Sequence, residues 1–109
     1  MVEQGDIINV NFNPQSGHEQ MGRRPAVVIS NKTFNEKTNL ALVCPITNTD
    51  KNFPLHVKLG RGITTTGVIL CEHVKSFDLN SRGYTFIEKL PTDTLEEVIT
   101  IVLEEIEIL

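Results

Sequence analysis

The sequence predicts a mainly β fold with a C-terminal helix, either a small, strongly curved β-barrel or paired sheets with the helix packed on one side. Three observations predict it. Short apolar runs recur at close spacing from Ile7 to Phe86, some alternating with polar residues at the period of two of a strand and others continuous. Turn residues such as Asn13–Pro14 and Gly60–Arg61–Gly62 separate them. Only the last stretch, from Leu95 on, carries clear helical spacing.

Ile8, Val10 and Phe12 alternate with Ile7, Asn9 and Asn11, the pattern of a half-buried strand. Ala26–Ile29 is a continuous apolar run of the kind buried on both faces, and Ser30 and Asn31 open a polar connection that lasts through Thr38. Leu40 to Ile46 is a second such run. Leu55, Val57 and Leu59 alternate with His56 and Lys58, Gly67–Glu72 is a further buried run, and Tyr84, Phe86 and Glu88 continue the β pattern. Phe12 and Phe86 are expected in the core. Leu95, Val98, Ile99, Val102, Leu103 and Ile106 form the apolar stripe of a helix, with Pro91 before it and Asp93 plus Glu96 offering a capping box. Ile101, Ile108 and Leu109 lie off that stripe, and such extra apolar surface on a short chain predicts a homodimer.

A chain of 109 residues fits one domain, 1–109, with one core. No apolar run reaches the roughly 20 residues that span a bilayer, and Met1–Asp6 lack the basic and apolar regions of a signal peptide, so the expected location is cytoplasmic with no membrane partner. Cys44 and Cys71 stand alone inside apolar runs and read as small buried hydrophobes; no metal and no cofactor is expected.

The net charge of −4 argues against general nucleic-acid binding, but it is unevenly distributed. From Leu90 on there are six acids and no Lys or Arg. Residues 1–89 hold eight acids against ten basic residues, a net +2. If the helix packs away from a binding face, its carboxylates leave that face relatively basic.

The strongest chemical signal is Gly17–Pro25, which gathers His18, Glu19, Gln20, Arg23 and Arg24 within eight residues. These side chains contribute little to a core and none is needed for a turn, so a binding or catalytic loop is expected.

Four ordered motifs carry a resemblance: Gly5–Ile8; Gly17–Gln20 with Gly22 and Arg24–Val28; Val43–Thr47; and Gly67–Glu72 with Val74–Ser76. Together they resemble the MazF/PemK (Kid) family, toxin endoribonucleases of bacterial toxin–antitoxin pairs. The resemblance implies an SH3-like β-barrel of the PemK/CcdB type, a homodimer, and metal-independent, sequence-specific cleavage of single-stranded RNA. It also implies a small MazE/PemI-like antitoxin whose extended acidic segment covers the cleft, with operator DNA bound only through the antitoxin.

Metal-free RNA cleavage has the ribose 2′-hydroxyl attack the adjacent phosphorus, which requires a base, an acid for the departing 5′-oxygen, and donors for the charged phosphorane. The guanidinium fork of Arg24 matches two phosphate oxygens. The resemblance makes Arg24 and Thr47 central to catalysis; the plainer readings are a solvated arginine before a strand and a strand-end threonine capping a turn. Glu19 and His18 are the candidates for proton transfer, with the imidazole reference pKa of about 6.5 suiting either role. His18 follows the Kid branch. Glu72 matches an acidic residue of that branch, but Leu70 stands where Kid has an arginine, removing a phosphate contact; the plainer reading pairs Glu72 with Lys75 or Arg82. Further substrate contacts are expected from Gln20, Arg23, Asn48, Lys75 and Phe53; Phe34, Phe53 and Phe77 are the candidate stacking platforms, and the plainer reading of each is packing. Two other readings of the same barrel are a CcdB-like toxin that binds DNA gyrase without catalysis and an SH3-like interaction module.

Overall fold

In a computed structural model, which describes residues 1–12, 23–81 and 83–109, the apolar runs become strands in the expected order, and a further strand forms over Lys75–Asp78, where no apolar run marks one. They are β1 (Asp6–Asn11), β2 (Arg23–Val28), β3 (Leu40–Thr47), β4 (His56–Lys58), β5 (Val68–Leu70), β6 (Lys75–Asp78) and β7 (Tyr84–Lys89). Two helices join them, α1 (Lys32–Thr38) and the terminal α2 (Thr92–Glu105). The sheet runs β4–β5–β3–β2–β1–β7, all described pairs antiparallel. β3 organises it: one edge pairs with β2, while the other pairs with β6 along its first half and with β5 at its end. The arrangement is SH3-like, and among the described residues the sheet stays open between β4 and β7 instead of closing into a barrel.

Both faces of the sheet are covered, which is why several runs read as continuous rather than alternating. One cluster, with Ile7, Val27, Cys44, Ile46, Val57 and Ile69, packs beneath α2 and takes in its Val98. The other, with Ile8, Val10, Ala26, Val28, Val43 and Phe77, fills the opposite side. Adjacent residues such as Ile7 and Ile8 therefore enter different clusters, each fully buried. β1 is thus buried on both sides at its start and half-buried only from Asn9. A bulge between Ile7 and Ile8 lets β7 follow this strand.

Several sequence expectations are corrected. The polar connection from Ser30 to Thr38 contains α1: the Asn31 side chain caps it by accepting the Phe34 N–H, and buried Asn35 ties it to Ser30 and to the Val2 carbonyl. The capping box at Asp93 and Glu96 does not form, because α2 starts two residues earlier, behind Pro91, with no side-chain cap. Phe86 is exposed, not core, on the edge strand β7, whereas Phe77 is buried and takes the plainer packing role. On α2, Ile101 packs on the core while Leu103 and Ile106 of the predicted stripe are exposed, as are Ile108 and Leu109. Among the described residues no helix is long and apolar enough to cross a membrane.

Candidate active site

The register of the sheet assembles a cleft. Ala26 faces Pro45 across β2 and β3, and continuing that antiparallel ladder by two residues sets Arg24 opposite Thr47. Thr47 in turn faces Val68, and His56 faces Leu70. Ile46, Ile69 and Val57 belong to the cluster beneath α2, so Thr47, Leu70 and His56, one residue along each strand, alternate to the other side. The result is a cleft of about 270 Å³ lined by Arg24, Thr47, Thr49, Lys51, His56, Leu70, Glu72 and His73.

Thr47 accepts a hydrogen bond from the Thr49 N–H at 3.2 Å, the turn-capping contact expected of a strand-end threonine. That bond uses one lone pair and leaves the hydroxyl proton free to be donated. The backbone of Thr47 is held by Gly67, whose φ of +116° suits glycine and where a Cβ would overlap the Thr47 carbonyl. Asn48 does not line the cleft; it accepts from the Thr66 hydroxyl at 2.9 Å and braces the same turn. The Thr64–Thr65 segment is anchored in turn by Glu88, which accepts from both backbone N–H groups and both hydroxyls. These bonds, the Thr65 hydroxyl foremost, bring the Glu88 carboxyl down to about 2.

Glu72 pairs neither with Lys75 nor, among the described residues, with any arginine. Its Oε2 lies 2.9 Å from His56 Nε2 and 3.8 Å from His73 Nε2. An ionised carboxylate only accepts, so His56 carries its proton on Nε2. Burial alone would push the Glu72 carboxyl up, but the His56 bond, its own backbone bond and the two imidazoles together hold it below the ordinary value. His56 Nδ1 and Glu72 Oε1 are buried and have no hydrogen-bond partner among the described residues. The exposed Phe53 ring meets His56 edge-on, with ring centroids 5.3 Å apart, and stands beside the cleft.

Of the predicted site residues, the cleft brings together Arg24, Thr47 and Glu72. Arg23, at the start of β2 opposite Asn11, and Lys75, on β6, are exposed and do not line it. His18, Glu19 and Gln20, like Arg82, lie outside the described residues. Sequence reasoning missed His56 and His73. The alternating pattern that makes His56 a strand residue gives no hint of Glu72, which is 16 positions away and reaches it only through β4–β5 pairing. Cys44 and Cys71 are fully buried free thiols, both pushed up to about 12, mainly by burial, and so are poor nucleophiles. Among the described residues no group of three His, Cys, Asp or Glu side chains is placed to hold a metal ion.

Residues 3–105 match the family model described as PemK-like, MazF-like toxin of type II toxin-antitoxin system. Over 102 residues the chain is 36% identical to endoribonuclease PemK of Escherichia coli, covering 90% of this chain and 77% of that one. Over 83 residues it is 43% identical to endoribonuclease toxin MazF of Escherichia coli strain K12, covering 76% and 74%. The fold superposes on MazF in a MazE–MazF crystal structure from Deinococcus radiodurans with a TM-score of 0.85 at 35% identity, covering 95% of this chain and 94% of that one.

Proposed function

The chain belongs to the PemK-like, MazF-like toxin family of type II toxin–antitoxin systems, and on that premise we propose that it is a toxin endoribonuclease cutting single-stranded RNA, chiefly mRNA, in the Arg24–Thr47 cleft. The observation that carries this reading is that Arg24, near the start of β2, and Thr47, at the end of the neighbouring β3, line one cleft. A guanidinium fork and a free hydroxyl donor there suit the two non-bridging oxygens of a phosphodiester.

In this mechanism the ribose 2′-oxygen bonds to phosphorus and the bond to the 5′-oxygen breaks, leaving a 2′,3′-cyclic phosphate and a 5′-hydroxyl. Arg24 clamps the phosphate and neutralises the charge that develops on it, and Thr47 donates to one of its oxygens. Glu19 or His18 takes the proton of the 2′-hydroxyl. No metal takes part. Lys51 adds attraction for the backbone, and Phe53 at the rim offers an exposed face to an unstacked base. Gln20, Arg23, Asn48 and Lys75 contribute to substrate binding around this centre.

The protein acts in the cytoplasm as a single domain and a homodimer, with Leu103, Ile106, Ile108 and Leu109 as apolar surface for the second subunit. Its partner is a MazE/PemI-like antitoxin whose acidic segment competes with RNA for the cleft, and operator DNA is reached only through that complex. Cleavage in EDTA tests the chemistry. Arg24→Ala in folded protein is expected to reduce cleavage at least about 100-fold, and full activity in that variant would sink the assignment.

A further inference from the structure

We propose that His73 is the general acid of this cleft, protonating the departing 5′-oxygen, and that Glu72 and His56 are positioning residues for it. The proposal rests on the endoribonuclease reading and supplies a residue that reading leaves unassigned.

The reaction needs a proton donor for the leaving oxygen, and the described cleft offers few. Arg24 holds its proton too tightly to act as an acid near neutral pH. Lys51 is a hydrated point charge suited to attraction. Leu70, on the cleft floor, has no proton to give. His56 is mostly buried, with its side chain 8% exposed, and its Nε2 proton is committed to Glu72. His73 is different: its side chain is 53% exposed, it lines the cleft with Arg24 and Thr47, and its Nε2 lies 3.8 Å from Glu72 Oε2.

The three side chains form a relay of position. Buried His56, gripped edge-on by Phe53, fixes Glu72 Oε2 at 2.9 Å, and that same oxygen faces the exposed imidazole of His73. The His73 backbone is itself fixed, its N–H donating to the Leu70 carbonyl at 3.1 Å. The titratable and charged groups around the Glu72–His73 pair are Arg24 from β2, Lys51 from the β3–β4 connection, His56 from β4 and Glu105 from the last turn of α2, which is close enough to Glu72 for the two carboxylates to repel.

In the step, the 2′-oxygen bonds to phosphorus as its proton passes to the base, Glu19 or His18. The bond from phosphorus to the 5′-oxygen breaks, and the imidazolium N–H proton of His73 goes to that oxygen. Neutral His73 then regains a proton from water, to which it is open.

A leaving group that needs no acid provides the test. In purified full-length protein, His73→Ala and His73→Gln should each lower kcat on unmodified single-stranded RNA about 100-fold, with KM little changed. On the same RNA carrying a bridging 5′-sulfur at the scissile position, both variants should stay within about threefold of wild type, because thiolate departs unprotonated. The alkaline fall of the wild-type pH–rate profile should also be absent with the sulfur substrate. Equal losses on both substrates, or full activity of either variant on unmodified RNA, would overturn the assignment while leaving the endoribonuclease reading intact. Wild-type protein that cuts neither substrate would overturn both.

Discussion

At the scale of single residues, the chemistry divides by how local its signals are. Arg24 and Thr47 were legible because each sits inside a short ordered motif, and strand register then brings them together. The partner of Glu72 was not legible: Lys75 is three residues away in sequence, but the bond goes to His56 across the β4–β5 pair. Phe86 was misplaced for a similar reason, since it and Phe77 both sit in β strands and only the layout of the sheet says which one is covered. Glu88 gives a prediction that belongs here. Its carboxyl is lowered from the ordinary 4.5 to about 2 by the threonine bonds, so its stabilising contribution is present above about 4.5 and is lost as pH falls through about 2. Glu88→Gln should flatten the fall of Tm over that interval compared with wild type; parallel Tm–pH curves for the two proteins would contradict it.

At the scale of elements, strands with continuous apolar runs were the most legible. Ala26–Ile29 and Val43–Ile46 are buried on both faces because two clusters sandwich the sheet, and that needs no long-range information to recognise. α1 was hidden because six of its seven residues are polar and it is too short to show a helical period; its stability comes from the Asn31 cap and from buried Asn35. Asn35→Ala would strand the Ser30 hydroxyl and remove the tie to Val2, at a cost of about 1–3 kcal/mol in urea unfolding. An unchanged midpoint would show that α1 is not held in this way. β6 escaped notice because only Phe77 of its four residues is buried. The link from β7 through Thr64–Thr66 to the end of β3 converges on Gly67, where a side chain would push against the Thr47 carbonyl. Gly67→Ala should cost about 1–3 kcal/mol from the backbone conformation alone, and RNA cleavage should fall more than the remaining folded fraction explains. Wild-type cleavage by that variant would separate Gly67 from the placement of Thr47.

At the scale of the whole molecule, charge and apolar surface follow the ends of the chain. The acidic tail belongs to α2, which covers one cluster while the cleft residues of the strands alternate to the other side. That separation was expected from charge alone, but its limit was not: the last turn brings Glu105 close enough to Glu72 for the two carboxylates to repel, and with burial this raises the Glu105 carboxyl. The exposed Leu103 and Ile106 share a shallow groove with Thr100, Glu104 and Glu107. If this is dimer surface, Leu103→Asp with Ile106→Asp should raise the dimer Kd at least about 100-fold, roughly 3 kcal/mol. Light scattering that shows an unaltered dimer would move the interface elsewhere. All of these features serve one central claim, metal-independent transesterification of RNA in the Arg24–Thr47 cleft. The most direct test is to incubate the purified protein with a long end-labelled single-stranded RNA in EDTA and to identify the ends it makes. Discrete fragments ending in 2′,3′-cyclic phosphate and beginning with a 5′-hydroxyl are predicted; intact RNA, or fragments that form only with added metal and carry 5′-phosphates, would contradict the account.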